Sequence, residues 1–162
     1  MLVGNGKAAT IGIFAFIVVL CLCFARCHAA EIDVAAGSSF GNAGYGPTLN
    51  LEVKQTLQSN PGVSVFAGTD LWGSTTHKGQ TVLSNWDWHV GIEGCKWRFC
   101  ASIGPDFVQR VDALNGAHTN FHLGLSFKIT DRFSIQVAHI SDAGTSNPNI
   151  GRQALMLSYK LQ

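Results

Sequence analysis

The chain has 162 residues, of which 46% are hydrophobic, only 13% are charged, and 18 are glycine. That length suits one domain, and the hydrophobicity excludes a disordered chain. Eleven basic against ten acidic residues give no field to hold a phosphate backbone, so no nucleic-acid partner is expected.

Only the N-terminal segment is long and apolar enough to span a bilayer as a helix, which excludes a multi-helix membrane protein. Lys7 precedes the apolar stretch 8–25, and Cys27-His28-Ala29-Ala30 offers small-residue cleavage points. Residues 1–30 therefore read as a cleaved secretory signal peptide, and 31–162 as the mature domain. A retained signal anchor is the alternative. Lipid attachment at Cys27 is disfavoured by the preceding Arg26. Cleavage removes Lys7 and Arg26, leaving nine basic against ten acidic residues. It also removes Cys21, Cys23 and Cys27. The two remaining cysteines, Cys95 and Cys100, favour a disulfide in an exported protein. No second Cys pair or His cluster completes a four-ligand metal site around them.

The mature region reads as eight strands, approximately 31–40, 47–57, 62–72, 85–95, 97–109, 119–130, 132–141 and 152–161. Their connections alternate in length. Segments 41–46, 73–84, 110–118 and 142–151 are long; 58–62, the turn at Lys96 and 130–131 are short. In an up-and-down sheet this puts long loops at one rim and tight turns at the other, the layout of an outer-membrane barrel. The expected fold is all-β, an eight-stranded antiparallel up-and-down transmembrane β-barrel, closed so that no edge is left unpaired.

Side chains alternate accordingly. Phe121, Leu123, Leu125, Phe127 and Ile129 share one face of strand six; Asn120, His122, Gly124, Ser126 and Lys128 share the other. Parity alone leaves two readings. A soluble lipocalin-like barrel turns the apolar face inward around a ligand, and a membrane barrel turns it outward. The loop asymmetry favours the membrane, as do the aromatics Trp86 and Trp88 at one end of strand four and Trp97 and Phe99 near the other. A barrel of eight strands has a filled interior or room for one small ligand. His89, Glu93, Arg98, Asp106, His122 and Lys128 are expected to form a polar network inside it. Cys95 and Cys100 share the inward parity, flanking one tight turn.

Strand seven breaks its own pattern. Its apolar face runs Phe133, Ile135, Val137, then His139 and Ser141, at the long-loop rim. The apolar face of the neighbouring strand eight ends in Gln153. Polar residues could simply mark the end of the hydrocarbon band. An acyl-transfer site, however, needs a hydroxyl beside an imidazole and a third group to orient the ring. These three supply it.

His139-Ile140-Ser141-Asp142-Ala143-Gly144, followed by Asn147-Pro148-Asn149 and the last strand, resembles the bacterial outer-membrane lipid A 3-O-deacylases. In that family a His-x-Ser motif, usually continuing Asn-Ala-Gly, precedes a final strand bearing a Glu. The resemblance implies Ser141 as nucleophile, His139 as general base and Asn149 at the oxyanion site. Gln153 stands where the family has Glu, and Asp142 where Asn is usual. Gln can orient an imidazole but brings no charge to stabilise imidazolium. The implied activity is an outer-membrane esterase that removes the 3-O-linked acyl chain from lipid A. It acts on lipopolysaccharide in the outer leaflet of the cell outer membrane, with no cofactor and no metal. A homodimer stays open. The alternative function is a non-catalytic outer-membrane barrel, structural or a degenerate deacylase.

Overall fold

The structure is a computed structural model that describes residues 30–146 and 150–162. The expected signal peptide therefore lies, but for Ala30, outside the described residues. The strands are β1 (Ala30–Ser39), β2 (Gly46–Leu57), β3 (Asn60–Trp72), β4 (Thr75–His77), β5 (Gln80–Val82), β6 (Asn85–Lys96), β7 (Phe99–Val108), β8 (Thr119–Lys128), β9 (Phe133–Ser141) and β10 (Arg152–Lys160). Eight of them form one closed barrel in the order β1-β10-β9-β8-β7-β6-β3-β2. All its pairings are antiparallel, and β1 meets β10 from Asp33↔Lys160 to Ser39↔Ala154. Closure gives every barrel strand two partners and leaves the barrel no edge to template aggregation. The eight barrel strands match the sequence expectation. The hairpin β4–β5 is additional, folded from the loop between β3 and β6.

The alternation decides which face is which. Leu51, Leu71, Ile103, Leu125, Ile135 and Leu157 point outward and are exposed. Their strand neighbours Glu52, Asp70, Asp106, Gln136 and Ser158 point inward and are buried. An apolar exterior around a charged interior is the polarity of a barrel whose outer solvent is hydrocarbon, and the soluble cavity reading falls. The ladder between β6 and β7 skips at Val90-Gly91 and Gly104-Pro105. Pro105 has no N–H to donate. The backbones also approach closely there, since a Cβ on Gly104 would lie 1.8 Å from the Val90 carbonyl oxygen.

The interior is filled. Near the short-turn rim, Lys54 Nζ reaches Glu93 at 3.0 Å, Glu52 at 3.1 Å and Asp33 at 3.3 Å. In the middle, His89 stacks on His122 with centroids 4.5 Å apart. Towards the loops, Trp72 donates its indole N–H to Asp87, and Arg152 pairs with Asp112 while lying over the Trp72 ring. Phe66, Ile140 and Met156 pack the remainder. Of the six residues expected inside, His89, Glu93, Asp106 and His122 are buried in the lumen. Arg98 and Lys128 are exposed instead. Arg98 lies in the turn between β6 and β7 and Lys128 at the end of β8, both on the short-turn rim, where a side chain points into water rather than into the lumen, and Arg98 bonds the Ile129 carbonyl.

Cys95 and Cys100 are disulfide-bonded and are register partners on β6 and β7. They close the two-residue turn at Trp97-Arg98, where Trp97 holds a φ of 60°. At the opposite rim the loops are tied to each other. Val82 and Leu114 are buried, with Ala113 and Ile150 packed on them. The Leu114 carbonyl accepts the N–H groups of Ile150 and Gly151 at 3.0 and 2.9 Å.

Candidate active site

Three of the four residues singled out for acyl transfer lie among the described residues, and the barrel brings them together. β9 alternates Ser134, Gln136, Ala138 and Ile140 inward against Phe133, Ile135, Val137, His139 and Ser141 outward. The side chains of His139 and Ser141 therefore leave the same face of one strand, at its loop end. Both are half-buried, and His139 Nε2 lies 3.1 Å from Ser141 Oγ. This is the reach a base needs to take a hydroxyl proton. The outward residues Leu123 and Phe121 of β8 are their register partners. The pair is thus framed by apolar side chains on the wall and opens towards the bilayer.

Gln153 is the register partner of His139 on β10. Its backbone carbonyl accepts the Phe40 N–H at 3.0 Å. Its side-chain oxygen faces the 3-10 turn Gly41–Ala43: a Cβ on Gly41 would come within 2.8 Å of Oε1. Among the described residues, no hydrogen bond joins the Gln153 amide to the His139 ring. The amide sits next to the imidazole but is turned towards the turn. Sequence reasoning missed Gly41, whose side-chain-free α-carbon makes room for this amide; nothing in local spacing connects it to the last strand. Asn149 lies outside the described residues.

Asp142 points the other way from Ser141 and is buried. One of its carboxylate oxygens accepts the Gly144 N–H at 3.0 Å, the other accepts the Ser146 hydroxyl, and its carbonyl accepts the Thr145 hydroxyl at 2.8 Å. This Asx-type turn carries Ala143 at φ 55° and Gly144 at φ 82° and bends the chain immediately after the Ser. Asp thus organises the turn at the position where the resembled motif usually has Asn.

Below the pair, an apolar groove of about 690 Å³ crosses the outer wall. Val137, Leu125, Ile135 and Phe127 line it on one side; Gly94 and Ala101 provide its floor on the other. The depression exists because β6 and β7 carry a hydrogen and a methyl where β8 and β9 carry large side chains.

The Lipid A 3-O-deacylase (PagL) family model matches residues 41–162. The barrel is similar to a solved structure described as the crystal structure of the outer membrane enzyme PagL, with a TM-score of 0.56 and 19% identity, over 82% of this chain and 99% of that one. At that identity the likeness is one of fold. No curated protein matches the chain.

Proposed function

The chain belongs to the lipid A 3-O-deacylase (PagL) family and is an eight-stranded outer-membrane barrel, and from that premise we propose that it is an esterase cleaving the 3-O-linked acyl chain of lipid A. One observation carries the reading: a Ser–His pair in hydrogen-bonding contact on the outward face of a membrane wall, where solvation alone would place apolar side chains. The pair lies at the long-loop rim, which in outer-membrane barrels faces the outside. That is the leaflet in which lipid A resides.

His139 Nε2 accepts the proton of Ser141 as Oγ attacks the ester carbonyl carbon. The sugar 3-hydroxyl leaves with the proton returned by His139, and the acyl chain remains on Ser141. Water, deprotonated by the same imidazole, attacks the acyl-enzyme and releases a free fatty acid. The acyl chain descends from Ser141 past Val137 into the groove floored by Ala101 and Gly94. Gln153 holds the ring from the neighbouring strand once its amide turns from Gly41 to Nδ1. Its neutral oxygen supplies orientation without charge.

A second reading, a non-catalytic barrel of the same family, draws on the amide at position 153 and its rotation away from the imidazole. Mass spectrometry of lipid A from cells with and without the chain separates the two. Loss of one 3-O-linked acyl group supports the esterase; unchanged lipid A beside a folded barrel supports the scaffold.

A further inference from the structure

The lumen contains a second constellation, on the opposite side of the wall from Ser141. Asp70 of β3, Asp87 and His89 of β6, and Asp106 of β7 converge under the loop rim, and none of the four has any measurable solvent exposure. His89 Nδ1 faces Asp87 Oδ1 at 3.5 Å, Asp70 Oδ2 at 3.6 Å and Asp106 Oδ2 at 3.8 Å. These separations exceed the usual hydrogen-bond length of about 2.7–3.2 Å. They are close to the spacing between ligands around a four-coordinate ion, about 3.3–3.6 Å for bonds of about 2.0–2.2 Å.

Three further features describe a built site. His89 Nδ1, Asp70 Oδ2 and both carboxylate oxygens of Asp106 are buried without a hydrogen-bond partner. The other atoms of the cluster are held in place from behind. Glu52 contacts His89 Nε2 at 3.3 Å, Asn50 donates to Asp70 Oδ1 at 2.9 Å, and Trp72 donates to Asp87 Oδ2. A carboxylate on the far ring nitrogen and bonded outer oxygens are how proteins aim metal ligands. Finally, charge is unbalanced. Among the described residues, Lys54 is committed to Asp33, Glu52 and Glu93 and Arg152 to Asp112, so no Lys or Arg offsets the three aspartates. His122, stacked on His89, has both ring nitrogens without a hydrogen bond, and its ligand atom lies within 4.8 Å of those of His89 and Asp70.

We infer that the lumen binds a divalent transition-metal ion, of the zinc or manganese class, through His89 Nδ1 and the carboxylates of Asp87 and Asp106, with Asp70 Oδ2 3.6 Å from the same nitrogen. An imidazole among carboxylates selects that class over calcium or magnesium. The ion links β6 and β7 inside the barrel and has no part in chemistry on the outer wall. The sequence alone leads to the expectation of no metal, with His89 and Asp106 in a plain polar network, and the proposed ion departs from that expectation.

The test uses the untagged mature chain refolded in detergent with Zn²⁺ or Mn²⁺, desalted, and measured by elemental analysis. Folding is checked separately by the mobility of unheated samples in SDS gels. About one ion per folded chain is expected, with a thermal midpoint that falls on chelation. Asp106→Asn and His89→Gln should each weaken binding roughly tenfold or more, and chelation should then leave their midpoints unchanged. A folded wild-type chain that carries neither ion overturns the site. Folded Asp106→Asn and His89→Gln chains that keep a full equivalent overturn the ligand assignment. The wild-type measurement decides even if both variants fail to fold.

Discussion

Gly151 lies directly against His139: a Cβ on Gly151 would stand 2.9 Å from His139 Cε1 and 3.1 Å from the Ser141 Cβ. Its φ of 72° is in the left-handed region, and its N–H is anchored to Leu114. The His–Ser pair is thus seated on a residue that can carry no side chain. Gly151→Ala should destabilise the barrel by about 1–2 kcal/mol from the backbone alone and push the imidazole off its line to Ser141. Deacylation of purified lipid A should fall tenfold or more, since a misplacement of about 1 Å can cost about a hundredfold. Near-wild-type rates in the folded variant would show that the ring does not depend on this contact.

Ser141→Ala should leave the folded-barrel mobility unchanged and reduce ester cleavage by about 10³-fold or more. His139→Ala should do the same. The double variant should lose no more than either alone, because the two groups act as a unit. Rates of fatty-acid release in detergent micelles check all three, and additive losses would argue that the pair does not act together.

Gln153 allows a finer test. Gln153→Glu should keep or raise the rate, because a carboxylate stabilises an imidazolium better than an amide does. Gln153→Leu should lose most of it, because nothing on β10 would then fix the ring. Equal rates for Gln, Glu and Leu would reduce the site to His139 and Ser141.

Much of this was legible from period and loop length. The eight barrel strands follow from side chains alternating every second residue, and β9 and β10 end within a residue or so of their expected limits. Parity placed His139, Ser141 and Gln153 on one face because parity is a property of the backbone. It could not place Arg98 and Lys128, because it carries no information about depth along the strand. The hairpin β4–β5 was missed because three residues on each side are too few to show alternation. The orientation of the Gln153 amide is a side-chain torsion, set by a turn near the other end of the domain. The lumen cluster was only half visible: Asp70 and Asp87 each look like an isolated polar residue until the pairing of β3 with β6 sets them opposite each other.

The disulfide should contribute to stability. Cross-linking so short a loop removes about 2 kcal/mol of freedom from the unfolded chain. Cys95→Ser with Cys100→Ser should therefore fold but unfold at a lower denaturant concentration. Thiol labelling of the unreduced, denatured wild-type chain should find neither cysteine free.

Polarity of the wall predicts a further asymmetry. Leu125 is 65% exposed at the outer face, and Leu125→Lys should cost roughly 2–4 kcal/mol in lipid. In detergent micelles, where a headgroup can reach the charge, the penalty should be smaller. An equal penalty in bilayers and in micelles would argue against Leu125 facing hydrocarbon.

A lumen packed solid with side chains leaves the barrel only its circumference to work with. Molecules that react there arrive sideways, by lateral diffusion within a leaflet, and depart either along the same plane or out into water. Encounter is then governed by how crowded the surface is with substrate, not by moles per litre of suspension. Diluting substrate with inert amphiphile at constant bulk concentration should slow turnover, while diluting the whole suspension should hardly change it. Kinetics of the proposed esterase would be two-dimensional, with a saturation constant in units of a surface fraction.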